Sequence, residues 1–280
     1  MKITVHERKK TNDIDYVKFS IEGITFEIAN ELRRIMLCEI PTMAITEVIF
    51  MENETPLYDE MIAHRLGLIP LTTDLKNYNF PKECSCQNKK CTLCQTTFTL
   101  SVKSGNEPLL VKAKDLIPGD PKIRPVNDDI IIAKLGPESK LELEGYAQLS
   151  IGKEHAKFQA VSTVGYKPFP EITIDTKICK SCTHDFAASK KCHMNLYRVS
   201  DIPELVPDYY LKCSLCRACE IYCPNKAIKV DYKKDAFIFS VEGTGALSLS
   251  EVLQKTIEIF DEKLTEFIEK IDKVEIEEEA

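Results

Sequence analysis

Two segments near opposite ends of the chain share the same alternation of apolar and polar residues. They are Val17–Gly23 (VKFSIEG) and Phe237–Gly243 (FIFSVEG). A period of two residues is typical of a β-strand with one buried face. Each segment is therefore predicted to be a half-buried strand, followed by a helix.

The helices after these strands are indicated by apolar residues spaced three and four positions apart. The first is predicted over residues 25–38, and the second over residues 249–271 with Ser248 or Ser250 as its N-cap. The second apolar face is wider than a small sheet would cover, which favours contact with another chain. Burial against the protein's own sheet is the alternative. The last six residues, 275–280, are predicted to form a solvated acidic tail.

The stretch between the two ends is rich in β-strand patterns. Strands are predicted at residues 44–51, 98–102, 130–134 and 141–149, and a helix at residues 58–67. The helix must end before Pro70. Proline and Asn-Asp residues between positions 118 and 129 indicate loops.

The similarity of the two ends predicts an α+β protein with a discontinuous domain and two insertions. In this interpretation residues 1–45 and 227–280 form one discontinuous strand–helix domain. Residues 46–170 form an inserted β-rich domain, and residues 171–226 form a second insertion that holds seven cysteines.

The composition is that of an ordinary globular protein, with 44% hydrophobic and 29% charged residues in 280. The net charge of -7 argues against specific binding of nucleic acid through its phosphates. The N-terminal sequence has no apolar signal segment, and no apolar run is long enough to cross a membrane. The sequence therefore predicts a cytoplasmic protein with no membrane partner.

Eleven of the twelve cysteines fall in two clusters, which indicates metal binding. Cys38 is alone on an apolar helix face and is interpreted as core packing. The first cluster offers four thiols within eleven residues: Cys84, Cys86, Cys91 and Cys94. Four cysteine ligands suit a closed, structural zinc site. A loop of reduced thiols without metal is the alternative.

The second cluster contains the sequence C-x2-C-x2-C-x3-C-P at residues 213–224. This spacing is typical of ferredoxins with two iron–sulfur centres, in which the fourth cysteine binds the other centre. A degenerate copy lies upstream at residues 179–192. The crossed pairing predicts a first 4Fe-4S centre on four cysteines: Cys192, Cys213, Cys216 and Cys219.

The second centre has only three cysteines, Cys179, Cys182 and Cys223, with Asp185 at the position of the missing ligand. Three alternatives remain open. Asp185 supplies a carboxylate ligand to a second 4Fe-4S centre, or the site holds a 3Fe-4S centre, or it is empty.

Three segments resemble a known family: Ala29–Leu37 (ANELRRIML), Glu39–Ile45 (EIPTMAI) and Thr55–Leu71 (TPLYDEMIAHRLGLIPL). They resemble the third-largest subunit of cellular RNA polymerases in its archaeal form, the counterpart of half of the bacterial alpha dimer. Gly152–Lys157 (GKEHAK) is similar to the central segment of that family. The Cys84–Cys94 loop resembles the zinc loop of its eukaryotic members, and some archaeal members have a ferredoxin-like insertion at the second cysteine cluster.

The resemblance implies a non-catalytic scaffold for RNA polymerase. Such a subunit pairs with the small subunit L, and the heterodimer recruits subunits N and P and then the large subunits. Two residues, Arg33 and Arg34, are implied as contacts to the second-largest subunit, with ordinary solvated arginines as the alternative. The implied dimerisation face consists of Phe26, Ala29, Leu32, Met36, Leu253, Phe260 and Phe267.

The iron–sulfur domain is expected to be mainly structural, because metal binding by so small a domain is largely folding free energy. A redox response of subunit assembly is a further hypothesis. Two other classes remain open: a ferredoxin-type electron carrier and a zinc-dependent nucleic-acid binder. The sequence lacks the common nucleotide-binding, metalloprotease and hydrolase motifs, so we expect no catalysis by the chain alone.

Overall fold

The computed structural model describes residues 1–11, 15–86, 91–180, 187–199 and 202–278. The strands are β1 (Lys2–Lys10), β2 (Asp15–Glu22), β3 (Pro41–Asn53), β4 (Gln95–Lys103), β5 (Leu109–Lys112), β6 (Ile117–Pro118), β7 (Ile131–Leu135), β8 (Lys140–Ile151), β9 (Val161–Ile174), β10 (Tyr197–Val199), β11 (Pro203–Leu205) and β12 (Ile228–Gly243). The helices are α1 (Phe26–Cys38), α2 (Asp59–Gly67), α3 (Thr176–Lys180), α4 (Ala187–Lys190), α5 (Tyr209–Lys212), α6 (Ala218–Ile221) and α7 (Leu249–Glu278).

The described strands form several sheets, so the predicted mixed α+β architecture is present. One sheet has the order β1-β2-β12-β9, and another has the order β3-β8-β4-β6. Two smaller sheets pair β5 with β7 and β10 with β11. By their internal contacts, the residues divide into two compact units. Unit 1 contains Met1–His6, Lys18–Ala29 and Gly165–Phe239, and unit 2 contains Glu7–Val17, Asn30–Val164 and Ser240–Ala280.

The main core of unit 2 lies on the sheet formed by β3, β8 and β4. These strands are antiparallel, and their inward residues, such as Met43, Phe98 and Leu143, are almost completely buried. Ile62 and Leu66 of α2 pack into the same core. Acidic residues in the first turn of α2 and His64 and Arg65 in its last turn complement the helix dipole.

One hydrophobic cluster of unit 1 includes cysteines among its buried residues. Ile172, Ile228 and Val230 pack around the buried Cys213 and Cys219, and Leu196 completes the cluster. Few large apolar side chains surround these cysteines, and segments of this kind often depend on bound metal for their stability.

The two long helices confirm the helical periodicity of the sequence, with one difference at the C-terminal end. Helix α1 matches its predicted span, but α7 continues to Glu278 through most of the predicted acidic tail. The predicted helix end at residue 271 was too early, because Lys and Glu are strong helix formers that extend an established helix. Ser248 caps α7: its Oγ accepts from the Glu251 backbone N–H at 3.3 Å, and the Glu251 carboxylate accepts from the Ser248 N–H at 2.9 Å.

Within the described residues, no helix has both the length and the apolar character needed to cross a bilayer.

Candidate functional site

The first candidate site is the group of Cys84, Cys86, Cys91 and Cys94, which precedes strand β4 in unit 2. Cys84 and Cys94 are buried, and Cys86 and Cys91 are half-buried. The Cys94 and Gln95 backbone N–H groups both donate to the Cys91 carbonyl at 3.1 Å, which turns the chain so that Cys91 and Cys94 face the same point.

All four Sγ atoms of this group lie within 4.8 Å of one another. Cys84 and Cys91 are 3.5 Å apart at Sγ, Cys86 and Cys94 are 3.7 Å apart, and Cys91 and Cys94 are 3.9 Å apart. Four sulfurs around one ion at a metal–sulfur bond of about 2.3 Å are separated by about 3.8 Å when the geometry is tetrahedral. The group is therefore arranged to bind one metal ion.

The thiols of this group have different pKa values because their surroundings differ. Burial raises the pKa of the Cys94 thiol to about 12. Burial also acts to raise the pKa of Cys86, but hydrogen bonds from Cys84, Cys94 and Cys91 outweigh it and lower that pKa to about 6. The lowered pKa favours the thiolate form of Cys86, and a bound cation would stabilise further thiolates in the group.

The second candidate site is a cavity in unit 1. Its lining includes Cys192, Cys213, Cys216 and Cys219, the four cysteines predicted to share one centre, with Ile172, Leu196 and Val230 among the apolar residues. Cys213 and Cys219 are buried and Cys216 is exposed. Among the described residues, the Cys84–Cys94 group alone has its ligand atoms within 4.8 Å of one another. The unit 1 cysteines are spaced more widely than ligands of a single ion.

The backbone around this cavity adopts a conformation that large side chains rarely take. Leu215 and Arg217 both have a φ of 57°, in the left-handed region. One lies in each of the two gaps between the three cysteines of the C-x2-C-x2-C segment. The Leu215 backbone N–H points at the Cys213 Sγ at 3.4 Å. The loop is therefore folded around its sulfur atoms.

Two other polar groups approach the unit 1 cavity. The Tyr197 hydroxyl is buried beside the Cys219 thiol, and burial raises the pKa of this hydroxyl. Lys167, on β9, donates from Nζ to the carbonyl oxygens of Leu211 at 3.0 Å and Cys213 at 2.6 Å. Burial lowers the pKa of the Lys167 ammonium, and the Cys213 thiol acts in the opposite direction.

The remaining predicted iron–sulfur ligands are only partly described. Cys179 is buried and Cys223 is half-buried, and the Cys223 Sγ accepts from the Ala227 backbone N–H at 3.3 Å. Cys182 and Asp185 lie outside the described residues. The second centre therefore stays a prediction.

Helix α7 in unit 2 presents an apolar stripe, defined as Ile257, Phe260, Leu264, Phe267 and Ile271. These residues are spaced alternately three and four apart, which is the a/d spacing of a coiled coil. Residues 261–273 are all exposed, and Phe267 is 62% exposed. The N-terminal half is different, because Leu249, Val252 and Thr256 are buried.

The residues of the predicted dimerisation face differ in burial. Ala29, Leu32 and Met36 on α1 are buried within the chain, Leu253 and Phe260 on α7 are half-buried, and Phe26 and Phe267 are exposed. Of the two predicted subunit contacts, Arg33 is half-buried and donates to the Asn30 Oδ1 at 3.0 Å. Arg34 is exposed and lies 3.8 Å from Glu31.

One contact to α7 was missed by the sequence analysis. Lys263 Nζ binds the carboxylates of Glu31 at 2.5 Å and Glu39 at 2.9 Å, which ties α7 to α1 and to the turn after it. Lys263 is 232 positions from Glu31 and 224 positions from Glu39 in the sequence. No local pattern could have indicated this pair of contacts.

Comparison with known proteins defines the class. The profile of the family described as "RNA polymerase Rpb3/RpoA insert domain" matches residues 45–176. The chain is 38% identical over 272 residues to the DNA-directed RNA polymerase subunit Rpo3 of Methanosphaera stadtmanae, covering 96% of this chain and 97% of that protein. It is 36% identical to Rpo3 of Methanosarcina mazei, covering 92% and 94%. It is also 36% identical to the RNA polymerases I and III subunit rpac1 of Dictyostelium discoideum, covering 91% and 79%.

The fold and these similarities define an RNA polymerase subunit of the type that contains the Rpb3/RpoA insert domain. More particularly, the chain belongs to the family of archaeal RNA polymerase subunit Rpo3. Membership in a multisubunit polymerase implies that other subunits are its partners. The chain is a component of that enzyme and not an enzyme by itself.

Proposed function

We propose that this chain is the assembly-platform subunit of an archaeal DNA-dependent RNA polymerase, and that it pairs with subunit L before it recruits subunits N and P and the second-largest subunit. The observation that best supports this proposal is the exposed apolar stripe of α7. Hydrophobic side chains exposed over several turns of one helix are a feature of surfaces that bind another protein.

The spacing of the stripe supports a helical partner. An a/d pattern is completed when a second helix inserts its own side chains between those of the first. The proposed dimerisation face comprises the exposed Phe26 and Phe267, the half-buried Leu253 and Phe260, and the buried Ala29, Leu32 and Met36. Arg34, which is more exposed than Arg33, is the better candidate for a contact to the second-largest subunit.

Co-expression with subunit L tests this proposal. A stable one-to-one complex on size-exclusion chromatography, able to bind subunits N and P, is the expected result. A chain that elutes as a monomer in the presence of subunit L would rule out the platform function and favour the alternative of a ferredoxin-type electron carrier. That alternative is not favoured now, because relatives that match over more than nine-tenths of the chain are named as polymerase subunits.

We propose zinc as the metal of the Cys84–Cys94 group. The donor set consists of four thiols with no open position, and the sulfur separations suit a tetrahedral ion. A bound zinc ion would crosslink the two ends of this loop and so would have a structural role. Elemental analysis of protein purified without added metal tests the assignment.

We propose an iron–sulfur centre on Cys192, Cys213, Cys216 and Cys219. Several features fit a centre larger than one ion: the wide cysteine spacing, the shared cavity and the wrapped backbone at Leu215 and Arg217. The buried Tyr197 hydroxyl lies beside Cys219, where it would donate to thiolate or cluster sulfur. When bound, the centre would supply folding energy to the segment around the cavity, where few apolar side chains pack.

We also propose a second iron–sulfur centre on Cys179, Cys182, Asp185 and Cys223, which the buried Cys179 and the half-buried Cys223 support. Iron and sulfide analysis after anaerobic purification distinguishes one centre from two. A redox response is tested by asking whether oxidised, cluster-free protein still binds subunit L. Normal binding would rule out that response.

A further inference from the structure

A basic cavity of about 220 Å³ in unit 2 is not used by either metal site or by the apolar stripe. It lies between the C-terminal turn of α2, strand β3 and the segment before β9. The described lining residues include three basic or titratable nitrogen groups and no Asp or Glu: Ile45, Thr46, Val48, Ala63, His64, Gly67, Leu68, His155 and Lys157. A basic cavity is unexpected in a chain with a net charge of -7.

Lys157 supplies the charge of the basic cavity. Its Nζ donates to the Ile45 carbonyl oxygen at 3.0 Å and lies 5.2 Å from the centre of the Phe158 ring. Neither contact carries a negative charge, and burial lowers the pKa of the Lys157 ammonium. An ammonium has three donors, so this one has donors left to give. A half-buried cation normally has an anionic partner.

His155 adds a donor of defined direction. Its Nδ1 accepts a hydrogen bond from the Lys157 backbone N–H at 3.1 Å. A neutral imidazole that accepts at Nδ1 has its proton on Nε2, so the free edge of the ring donates. The neighbouring Glu154 does not neutralise these groups from outside the cavity, because its carboxylate is bound by Lys82 at 2.8 Å and by the Ser150 hydroxyl at 2.6 Å.

Gly67 lies against both the β3 backbone and the Lys157 side chain. A Cβ at Gly67 would lie 3.4 Å from the Ile45 carbonyl oxygen and 3.9 Å from the Lys157 Nζ. Gly67 and Lys157 belong to two segments that are far apart in sequence, residues 55–71 and 152–157. The fold brings both segments to the wall of one cavity.

We infer that the basic cavity binds the carboxylate of an acidic side chain on another polymerase subunit. This inference rests on the proposed platform function and adds a polar docking point to it. A carboxylate accepts several hydrogen bonds and would give Lys157 the negative partner that its described contacts lack. Charge complementarity of this kind fixes the orientation of a partner as well as attracting it.

The test measures binding of each other purified polymerase subunit to the full chain in complex with subunit L. Lys157→Met should weaken the binding of one subunit by at least about tenfold, because removing one member of a buried charge pair is costly. Lys157→Arg should retain most of the affinity. Lys153→Met is the matched control, since Lys153 is exposed on the same segment, and it should leave every affinity unchanged.

A second variant covers the case in which Lys157→Met fails to fold. His155→Gln keeps an acceptor and a donor, whereas His155→Ala removes both, so the alanine variant alone should weaken the same subunit. Unchanged affinities in folded Lys157→Met and His155→Ala would overturn the inference. It would also be overturned if acetate raised the melting temperature of the wild type but not of Lys157→Met while subunit affinities stayed equal, because the cavity would then bind small anions only. Failure of the wild type to bind any subunit would instead refute the platform function.

Discussion

Replacing Phe267 by alanine tests whether the apolar stripe of α7 is a binding surface. The side chain is 62% exposed in the isolated chain. Complete burial of a phenylalanine side chain stabilises a protein by about 1.5–3 kcal/mol, so covering the exposed part is worth roughly 1–2 kcal/mol. The dissociation constant of the complex with subunit L should therefore rise by a factor of about 5–30.

The assay is a dilution series of fluorescently labelled complex, which gives the dissociation constant directly. The chain's own thermal stability should hardly change, because an exposed side chain contributes little to folding. Glu269→Ala is the control: Glu269 is exposed on the opposite face of the same helical segment. Equal dissociation constants for the wild type and Phe267→Ala would refute the reasoning. An equal loss of affinity in Glu269→Ala would show that any substitution in this part of α7 weakens binding, so the effect would not be specific to the apolar stripe.

Three further predictions concern the interior and the metal centres. Gly152→Ala should lower the free energy of unfolding by about 1–3 kcal/mol in urea titrations, because the new Cβ would lie 2.6 Å from the carbonyl oxygen near the end of α1; an unchanged midpoint contradicts this. Cys94→Ser should abolish bound zinc in elemental analysis while Cys38→Ser retains it, and the zinc assignment fails if both proteins retain the metal. Lys167→Met removes two hydrogen bonds from the loop at the unit 1 cavity, so iron should be lost about tenfold faster under a chelator. The control is Lys234→Met, because Lys234 is exposed on β12, and equal rates for the two variants would contradict the prediction.

The periodic elements were predictable because their signals are local. The alternation in β2 and β12, the face of α1 and the stripe of α7 each depend on residues a few positions apart. The continuation of α7 to Glu278 was missed because charge was given more weight than helix propensity. Charged residues are rarely buried in a core, but they can still extend an existing helix.

The candidate sites were predictable to different degrees. Cysteine spacing within a single loop indicated Cys84–Cys94, and the crossed rule selected the four cysteines that line the unit 1 cavity. The contacts of Lys157, Lys167 and Lys263 could not be predicted. Each joins segments far apart in sequence, and a lone lysine has the same appearance in a sequence whether it is solvated or paired.

The ion pairs of Lys263 with Glu31 and Glu39 have a geometric consequence. From Lys263 to Glu278, α7 extends for roughly 20 Å at 1.5 Å per residue. A small rotation of the helix axis at Lys263 becomes a large displacement at Glu278. A tilt of about ten degrees would move the C-terminal end by about 3–4 Å, close to the width of a side chain. The ion pairs therefore fix the direction of the α7 axis. A modest electrostatic contact in this way determines which subunit the C-terminal end of α7 can contact.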